Sequence, residues 1–136
     1  MAVNGLGTKI KLGENAIANL TEISGLEISA DTVDVTTLDN VDGYREFIGG
    51  LKDGGEVGMS GFFDPTTGKG QTEFLAALES GEVTPFTIEF PTSIGKKWSF
   101  NGIVTTFTTG VSLEDPLSFE GSIKVTGKPK LEAIGV

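Results

Sequence analysis

The sequence predicts an all-β domain, a β-sandwich or small barrel, with one flanking α-helix and a long loop between two strands. Glycine accounts for 20 of the 136 residues, about twice its usual share, which is typical of a chain with many turns. Threonine, valine, isoleucine and phenylalanine alternate with polar residues in several short segments, as in half-buried strands. Only one segment clearly predicts a helix. The length fits a single domain over residues 1–136.

Alternation and turn signals mark the strands that precede the helix. The first strand is Lys9–Leu12, in which every second residue is apolar. Residues 22–37 (EISGLEISADTVDVTT) predict two strands or one bent strand, because the alternation breaks in the middle. Residues 52–63 (KDGGEVGMSGFF) begin with a turn signal. They continue as a strand that has on one face Val57, Met59 and Gly61.

The helix is predicted within residues 64–83 (DPTTGKGQTEFLAALESGEV). Asp64 and Pro65 end the preceding strand, and Gly81 is placed to cap the C-terminus of the helix. The apolar stripe consists of Phe74, Leu75 and Leu78. A helix of about 10 residues is short and covers only part of one sheet.

The strands after the helix carry the strongest alternation in the chain. Residues 84–90 (TPFTIEF) place Phe86, Ile88 and Phe90 inward. Trp98–Val111 predicts a long strand whose inward face changes near Gly102, so a β-bulge is expected there. Residues 118–127 (SFEGSIKVTG) predict a strand whose inward face carries Phe119, Gly121, Ile123 and Val125. Residues 128–136 (KPKLEAIGV) predict a last short extended segment.

The charge balance restricts the kinds of partner. The chain has 19 acidic and 10 basic residues, no histidine and a net charge of −9. The basic residues form no cluster in the sequence beyond adjacent pairs, which disfavours tight binding to nucleic acid or anionic lipid. The N-terminus lacks a secretory signal, and no long apolar run could span a membrane. We therefore expect a soluble protein, made in a cytoplasm and without a membrane anchor.

The chemistry of common enzymes is missing from the sequence. Without histidine or cysteine, the most frequent bases, nucleophiles and transition-metal ligands are absent. The strand-to-helix connection is not a phosphate-binding loop, because six residues rather than four separate Gly61 from Gly68, and Gly70 replaces the required Ser or Thr. Two aspartate groups lack the spacing of a calcium loop: Asp31 with Asp34, and Asp39 with Asp42. We expect no enzyme activity, no cofactor and no metal.

Residues 38–54 (LDNVDGYREFIGGLKDG) are unusually apolar for a connection between strands. Large apolar residues recur every three to four positions, and the segment holds the only tyrosine, Tyr44, and the only arginine, Arg45. One hypothesis is an amphipathic helical turn that covers the domain's own core. The other is a surface for another subunit, because tyrosine and arginine often anchor interfaces and three glycines weaken a helix here.

The region around this segment resembles the major tail proteins, or tail tube proteins, of long-tailed bacteriophages. The resemblance is carried by residues 28–61 (ISADTVDVTTLDNVDGYREFIGGLKDGGEVGMSG). Within them lie four family motifs: Asp-Val-Thr-Thr at 34–37, Gly-Tyr-Arg-Glu at 43–46, Gly-Leu-Lys-Asp at 50–53 and Gly-Glu-Val at 55–57. The later segments ALESGEV, PFTIEFP and SFEGSIKVTGKPK also occur in the family's order.

The resemblance implies a homo-oligomer in which hexameric rings stack into a tail tube, the conduit for viral DNA. The protein would belong to the virion tail, made in the host's bacterial cytoplasm, and would meet other tail proteins such as the tape measure and the tail terminator. Some family members carry an additional immunoglobulin-like domain, which we do not expect here.

The same resemblance suggests which residues face other molecules. The expected subunit interface comprises Leu38, Val41, Tyr44, Arg45, Phe47, Ile48 and Leu51. Acids at polar strand positions are expected to face the lumen, where they would repel DNA and prevent it from sticking; these are Glu27, Glu89 and Glu120.

Two other interpretations of the sequence remain open. A tube protein of a contractile injection or secretion system would share the ring architecture. A ligand-binding β-sandwich, such as a carbohydrate-binding module, would need several exposed aromatic residues on one face. Only Trp98 and Tyr44 qualify, and they lie in different predicted elements.

Overall fold

The computed structural model describes residues 5–66 and 70–134, which form nine strands and one helix. The predicted all-β class with a single helix is confirmed. The helix α1 is Gln71–Ser80, and the strands are β1 Lys9–Leu12, β2 Asn15–Ala16, β3 Leu20–Ser24, β4 Ser29–Asp34, β5 Phe47–Asp53, β6 Glu56–Phe62, β7 Thr84–Glu89, β8 Lys96–Gly110 and β9 Ser118–Ala133. Gly68 of the rejected phosphate loop and residues 135–136 lie outside the described residues.

Seven strands form one antiparallel sheet in the order β2-β1-β7-β8-β9-β6-β3, and among the described strands β4 pairs only with β5. The long β8–β9 hairpin joins two half-sheets. Residues 118–124 of β9 pair with β6, whereas residues 97–102 of β8 pair with β7. The register shifts between Ser99 and Asn101, opposite the positive φ of Gly127. The sheet curls, so that β3 and β7 line opposite sides of one groove.

The core lies inside this curled sheet and under α1. The strand faces predicted from alternation are confirmed, because the buried residues include Val57, Met59, Phe86, Ile88, Phe119, Ile123 and Val125. Phe74 from the helix reaches between the aromatic rings of Phe86 and Phe107. The predicted last extended segment is the second half of β9, which continues without interruption to Ala133.

The helix buries a narrower face than the sequence predicts. Leu75 is exposed, while Gln71 and Ala77 are buried beside Phe74. The Gln71 amide explains its own burial: it donates to the carbonyl oxygens of Ala18 and Phe62 and accepts a bond from the backbone N–H of Asp64. Gln71 is therefore buried because of its hydrogen bonds, and a pattern of apolar residues cannot predict such burial. Gly81 caps the helix, as predicted.

The β-bulge in β8 lies at Thr105, and the prediction that placed it at Gly102 is wrong. Val104 pairs with Ile123 and Thr106 with Ser122, which leaves Thr105 without a partner in the register. Gly102 is regularly paired and buried, and a Cβ there would lie 2.4 Å from Ile123 Cγ2. Gly102 therefore allows Ile123 to pack closely against the backbone of β8. The bulge three residues later turns Phe107 towards the core.

Candidate assembly surfaces

The β4–β5 hairpin, residues 29–53, extends from the body as an exposed arm. Nearly every residue of the arm is exposed, including both strands and the loop at 35–46. The hypothesis that residues 38–54 form an amphipathic helical turn over the domain's own core is therefore wrong. At about 3.4 Å per residue, the seven residues of β5 span roughly 24 Å.

The loop of the arm is ordered by its own hydrogen bonds. Asn40 Oδ1 accepts bonds from the backbone N–H groups of Asp42 and Gly43, and its Nδ2 donates to the Tyr44 carbonyl oxygen at 2.9 Å. Thr36 Oγ1 accepts a bond from the Glu46 N–H at 2.7 Å. Asparagine and threonine stabilise such turns through bonds to nearby backbone groups. The loop is thus held in one shape by its own polar groups.

All seven residues predicted for the subunit interface lie on this arm. Tyr44 and Arg45 are in the loop with Leu38 and Val41, while β5 carries Phe47, Ile48 and Leu51. Leu38, Val41 and Tyr44 are 108%, 95% and 78% exposed. The prediction omitted Val33 and Val35, which are also exposed. The apolar alternation at residues 33–35 is the sequence signal that marks them.

At each end of the arm, an aspartate accepts hydrogen bonds and forms an ion pair. Asp34, near the loop, accepts bonds from Thr36, which lower its pKa, and it also pairs with Arg45 at 3.3 Å. At the base, the backbone N–H of Gly55 donates to Asp53 at 2.7 Å and holds the pKa of Asp53 below its usual value. Lys124, 3.1 Å away, lowers that pKa further. The Asp53–Lys124 ion pair ties the base of the arm to β9.

The outward surface of β3, β6, β9 and β8 carries acidic side chains among small polar ones. Residues that pair directly across antiparallel strands share a face, and one such row runs Glu22–Ser60–Glu120–Thr108. The next row contains Ser24, Ser122 and Thr106, and the Ser122 and Thr106 hydroxyl oxygens lie 2.6 Å apart. We call this surface the hydroxyl face and define it by Glu22, Ser24, Ser60, Thr106, Thr108, Glu120 and Ser122.

The outward surface of β1, β7, β8 and β9 is basic. One row runs Lys9–Glu89–Lys97–Glu132 and the next Lys11–Thr87–Ser99–Lys130. The ion pair between Lys11 Nζ and Glu89 Oε2 measures 2.8 Å. We call this surface the lysine face and define it by Lys9, Lys11, Lys97, Lys130, Glu89 and Glu132. The basic residues form no cluster in the sequence beyond adjacent pairs, but these lysines lie on three strands of one sheet and share its outward surface.

The structure does not bring the three predicted lumen acids together. Glu120 lies on the hydroxyl face and Glu89 on the lysine face, where Lys11 pairs with it. Glu27 lies in the connection between β3 and β4, with its carbonyl oxygen beside Gly55 at the base of the arm. If one sheet face lines a channel, that channel contains either Glu89 or Glu120.

Solved structures show where this fold occurs. A chain from the virion of a native gene transfer agent particle superposes with a TM-score of 0.80 at 24% identity, covering 97% of this chain and 100% of that chain. A chain from the extended sheath–tube complex of the extracellular contractile injection system PVC gives 0.76 at 19% identity, covering 98% and 93%. A chain of the SPP1 tail tube gives 0.59 at 10% identity, covering 93% and 75%. At these identities the likeness establishes the shared fold.

Sequence comparison establishes the family. Among curated proteins, no sequence gives a significant match. Within the described residues, no helix is long and apolar enough to cross a membrane. The family model described as lambda phage tail tube protein, TTP, matches residues 10–132, nearly the whole chain. The chain therefore belongs to the lambda phage tail tube protein family, whose members are structural components of the tails of bacteriophage-like particles.

Proposed function

We propose that this chain is the repeating subunit of a tail tube, in which six copies close into a ring and rings stack into a hollow conduit for DNA. The family match over residues 10–132 supports this function. The six-fold ring is supported by the tail of an empty gene transfer agent particle, a similar structure refined with C6 symmetry. Other tail proteins, including a tape measure and a terminator, would complete the tail; similar folds occur in a sheath/tube terminator and a tube-terminating cap.

The observation that carries the proposal is the exposed apolar arm. Leu38, Val41 and Tyr44 are almost wholly exposed on a loop that its own hydrogen bonds hold in place. Clustered exposed apolar side chains are unfavourable in a lone protein and usually mark an interaction site. The arm is one surface and its receptor another, which fits the head-to-tail contact that generates rings and stacks. The interface proposed from the sequence therefore remains our proposal for this arm.

For the wall of the conduit, we propose the hydroxyl face. It carries Glu22 and Glu120 among small hydroxyl residues, and its groove contains no lysine or arginine. Six copies of a chain with net charge −9 carry −54 in total, so an acidic wall would repel DNA at short range. A wall formed by the lysine face would instead bind phosphates. This proposal retains Glu120, adds Glu22 and leaves Glu27 and Glu89 outside the channel.

The proposed role is structural, without enzyme activity. The family to which the chain belongs is a family of tube proteins. Among the residues that the structure describes, no three acidic residues gather closely enough to hold a metal ion. Assembly and confinement of DNA require shape and charge only.

A tube of a contractile injection system is the second candidate, because the PVC sheath–tube chain shares this fold with a TM-score of 0.76. The two functions differ in the outer partner. A contractile tube binds a sheath, whereas the tube of a long non-contractile tail does not. Co-purification of tubes from their native source would distinguish them, since a stoichiometric sheath protein would favour the contractile system.

The experiment that tests the proposed function is microscopy of the purified protein. Negative-stain images and sedimentation velocity over a wide concentration range should show rings or hollow tubes, and class averages should have six-fold symmetry. A chain that remains monomeric at every concentration, or that forms rings without a central hole, would overturn the proposal.

A further inference from the structure

The lysine face carries charged side chains to which the proposed tube function assigns no role. Lys9, Lys97 and Lys130 make no ion pair within 4.0 Å in the described parts of the chain, whereas Lys11 is paired with Glu89. The face holds four lysines and two glutamates, so its net charge is positive on a chain whose net charge is −9.

The shape of the face suits a broad contact. Its four strands, spaced about 4.8 Å apart, give a surface roughly 15 Å wide. Thr87 and Ser99 are the uncharged residues in its two rows, and no bulky side chain rises between the lysines. Lysine stems also present apolar surface while their ammonium groups stay in water. The face can therefore accept a partner that is both acidic and apolar.

The arm has this chemistry. Its residues 29–53 contain six acids and two bases, a net charge of −4. In the loop, Asp39, Asp42 and Glu46 lie among the exposed apolar residues and form no ion pair in the described chain. The ion pairs that involve the arm are Arg45–Asp34 within it and Lys124–Asp53 at its base. No described ion pair joins the arm to the lysine face of the same chain.

We propose that the arm of one subunit docks on the lysine face of a second copy, an inference that rests on the proposed function. The loop acids, with Asp39 and Asp42 foremost, pair with Lys97 and Lys130, while the apolar loop residues cover the lysine stems. Every subunit offers one arm and one lysine face, so the contact repeats from copy to copy. Opposite charges across such a contact accelerate association and fix its register.

A charge-reversal series tests this pairing in the full-length chain. Lys97→Glu with Lys130→Glu reverses the face. Lys97→Glu alone has a matched control in Lys96→Glu, which makes the same charge change at the adjacent residue of β8, whose side chain points to the opposite side of the strand. The arm variant is Asp39→Lys with Asp42→Lys. Circular dichroism and thermal melting establish that each variant is folded, and sedimentation velocity and microscopy measure its assembly.

We expect the face variant and the arm variant each to raise the concentration needed for assembly by about tenfold or more. The control should assemble like the wild type. The chain that combines the face and arm reversals should recover assembly, because the charges are again complementary. Raised salt should weaken the wild-type contact by screening.

The outcomes separate this inference from the function on which it rests. A wild type that never assembles overturns both. If the wild type and the folded face variant assemble equally well, the inference fails and the tube function stands. If the combined chain shows no recovery, the arm is not the occupant of the face. Binding of duplex DNA by the monomer through Lys97 and Lys130 would assign the face to nucleic acid and overturn the pairing.

Discussion

Phe119 shows how much a single side chain contributes to this sheet. It is 1% exposed and stacks on Phe107, with ring centroids 5.9 Å apart. We expect Phe119→Ala to lower the free energy of unfolding by about 3–5 kcal/mol, because the cavity adds to the lost burial. Phe62→Ala is the control: Phe62 pairs with Ser118 on the adjacent strand and is 49% exposed, so its loss should stay below about 1 kcal/mol. Equal losses in urea unfolding would contradict the face assignment.

Gly121 is required for the close approach of the helix. A Cβ at this position would lie 2.6 Å from Phe74 Cε1 and 2.9 Å from its Cζ. We expect Gly121→Ala to destabilise the fold by about 1–3 kcal/mol, as overpacking of a filled core does. Gly49→Ala is the matched control on the arm, where a Cβ would meet nothing within 4 Å, and should change stability by about 0.5 kcal/mol or less. A melting temperature unchanged at Gly121→Ala would show that Phe74 has room to move.

The base of the arm should respond to acid through Asp53. The Gly55 N–H and then Lys124 lower its pKa from the ordinary 3.8. A lowered pKa in the folded chain means that the ionised carboxylate stabilises the fold above pH 3.8, and that this stabilisation is lost as the pH falls through the lowered pKa. In an NMR titration, Lys124→Met should raise the pKa of Asp53 only partway towards 3.8, because the Gly55 bond remains. A full return to 3.8 would make Lys124 the dominant cause.

The arm as an element should be needed for assembly and dispensable for folding. We expect the triple variant of Leu38, Val41 and Tyr44 to Ser to keep the melting temperature of the wild-type monomer, because these side chains are exposed. The same variant should form no tubes, because the apolar contact surface is gone. Leu75→Ser with Val83→Ser removes exposed apolar groups near the helix and should leave assembly intact.

A different result for the arm would be decisive. If the triple variant melts well below the wild type, these residues stabilise their own domain, and loss of tubes would say nothing about an interface. If it folds and still forms tubes, the exposed apolar loop is not the assembly contact. Microscopy and thermal melting on the same preparation distinguish these results.

The whole molecule should confine DNA without holding it. We expect wild-type tubes to retain no duplex DNA near physiological salt, because affinity for phosphates comes from clustered cations and the proposed wall carries Glu22 and Glu120. Glu22→Lys with Glu120→Lys should retain DNA at low salt and release it as salt rises. The control reverses Glu79 and Glu82 near the end of the helix, with the same change in net charge.

The pair of variants separates wall charge from net charge. If both variants retain DNA equally, the total charge governs retention and the hydroxyl face has no special role. Salt-sensitive retention by wild-type tubes would contradict the conduit with a repelling wall. A filter-retention assay on tubes confirmed by microscopy gives the measurement.

The class of the fold, the position of the helix and most of the buried strand faces can be predicted from the sequence alone. These features depend on near neighbours in the chain: alternation with period two defines the face of a strand, and Gly81 ends α1 in a left-handed conformation that glycine adopts easily. The arm motif also lies in one continuous segment, so its resemblance to tail tube proteins could be recognised before the structure.

Features that join segments distant in the chain depend on the three-dimensional structure. The bulge at Thr105 depends on the register between β8 and β9, and the burial of Gln71 depends on carbonyl groups from two other segments. The lysine face unites residues from positions 9 to 132, while Glu89 and Glu120, both at polar strand positions, lie on different faces. Local sequence specifies which side of a strand is polar, but strand order and curl specify which polar sides meet, because those depend on pairing between distant residues.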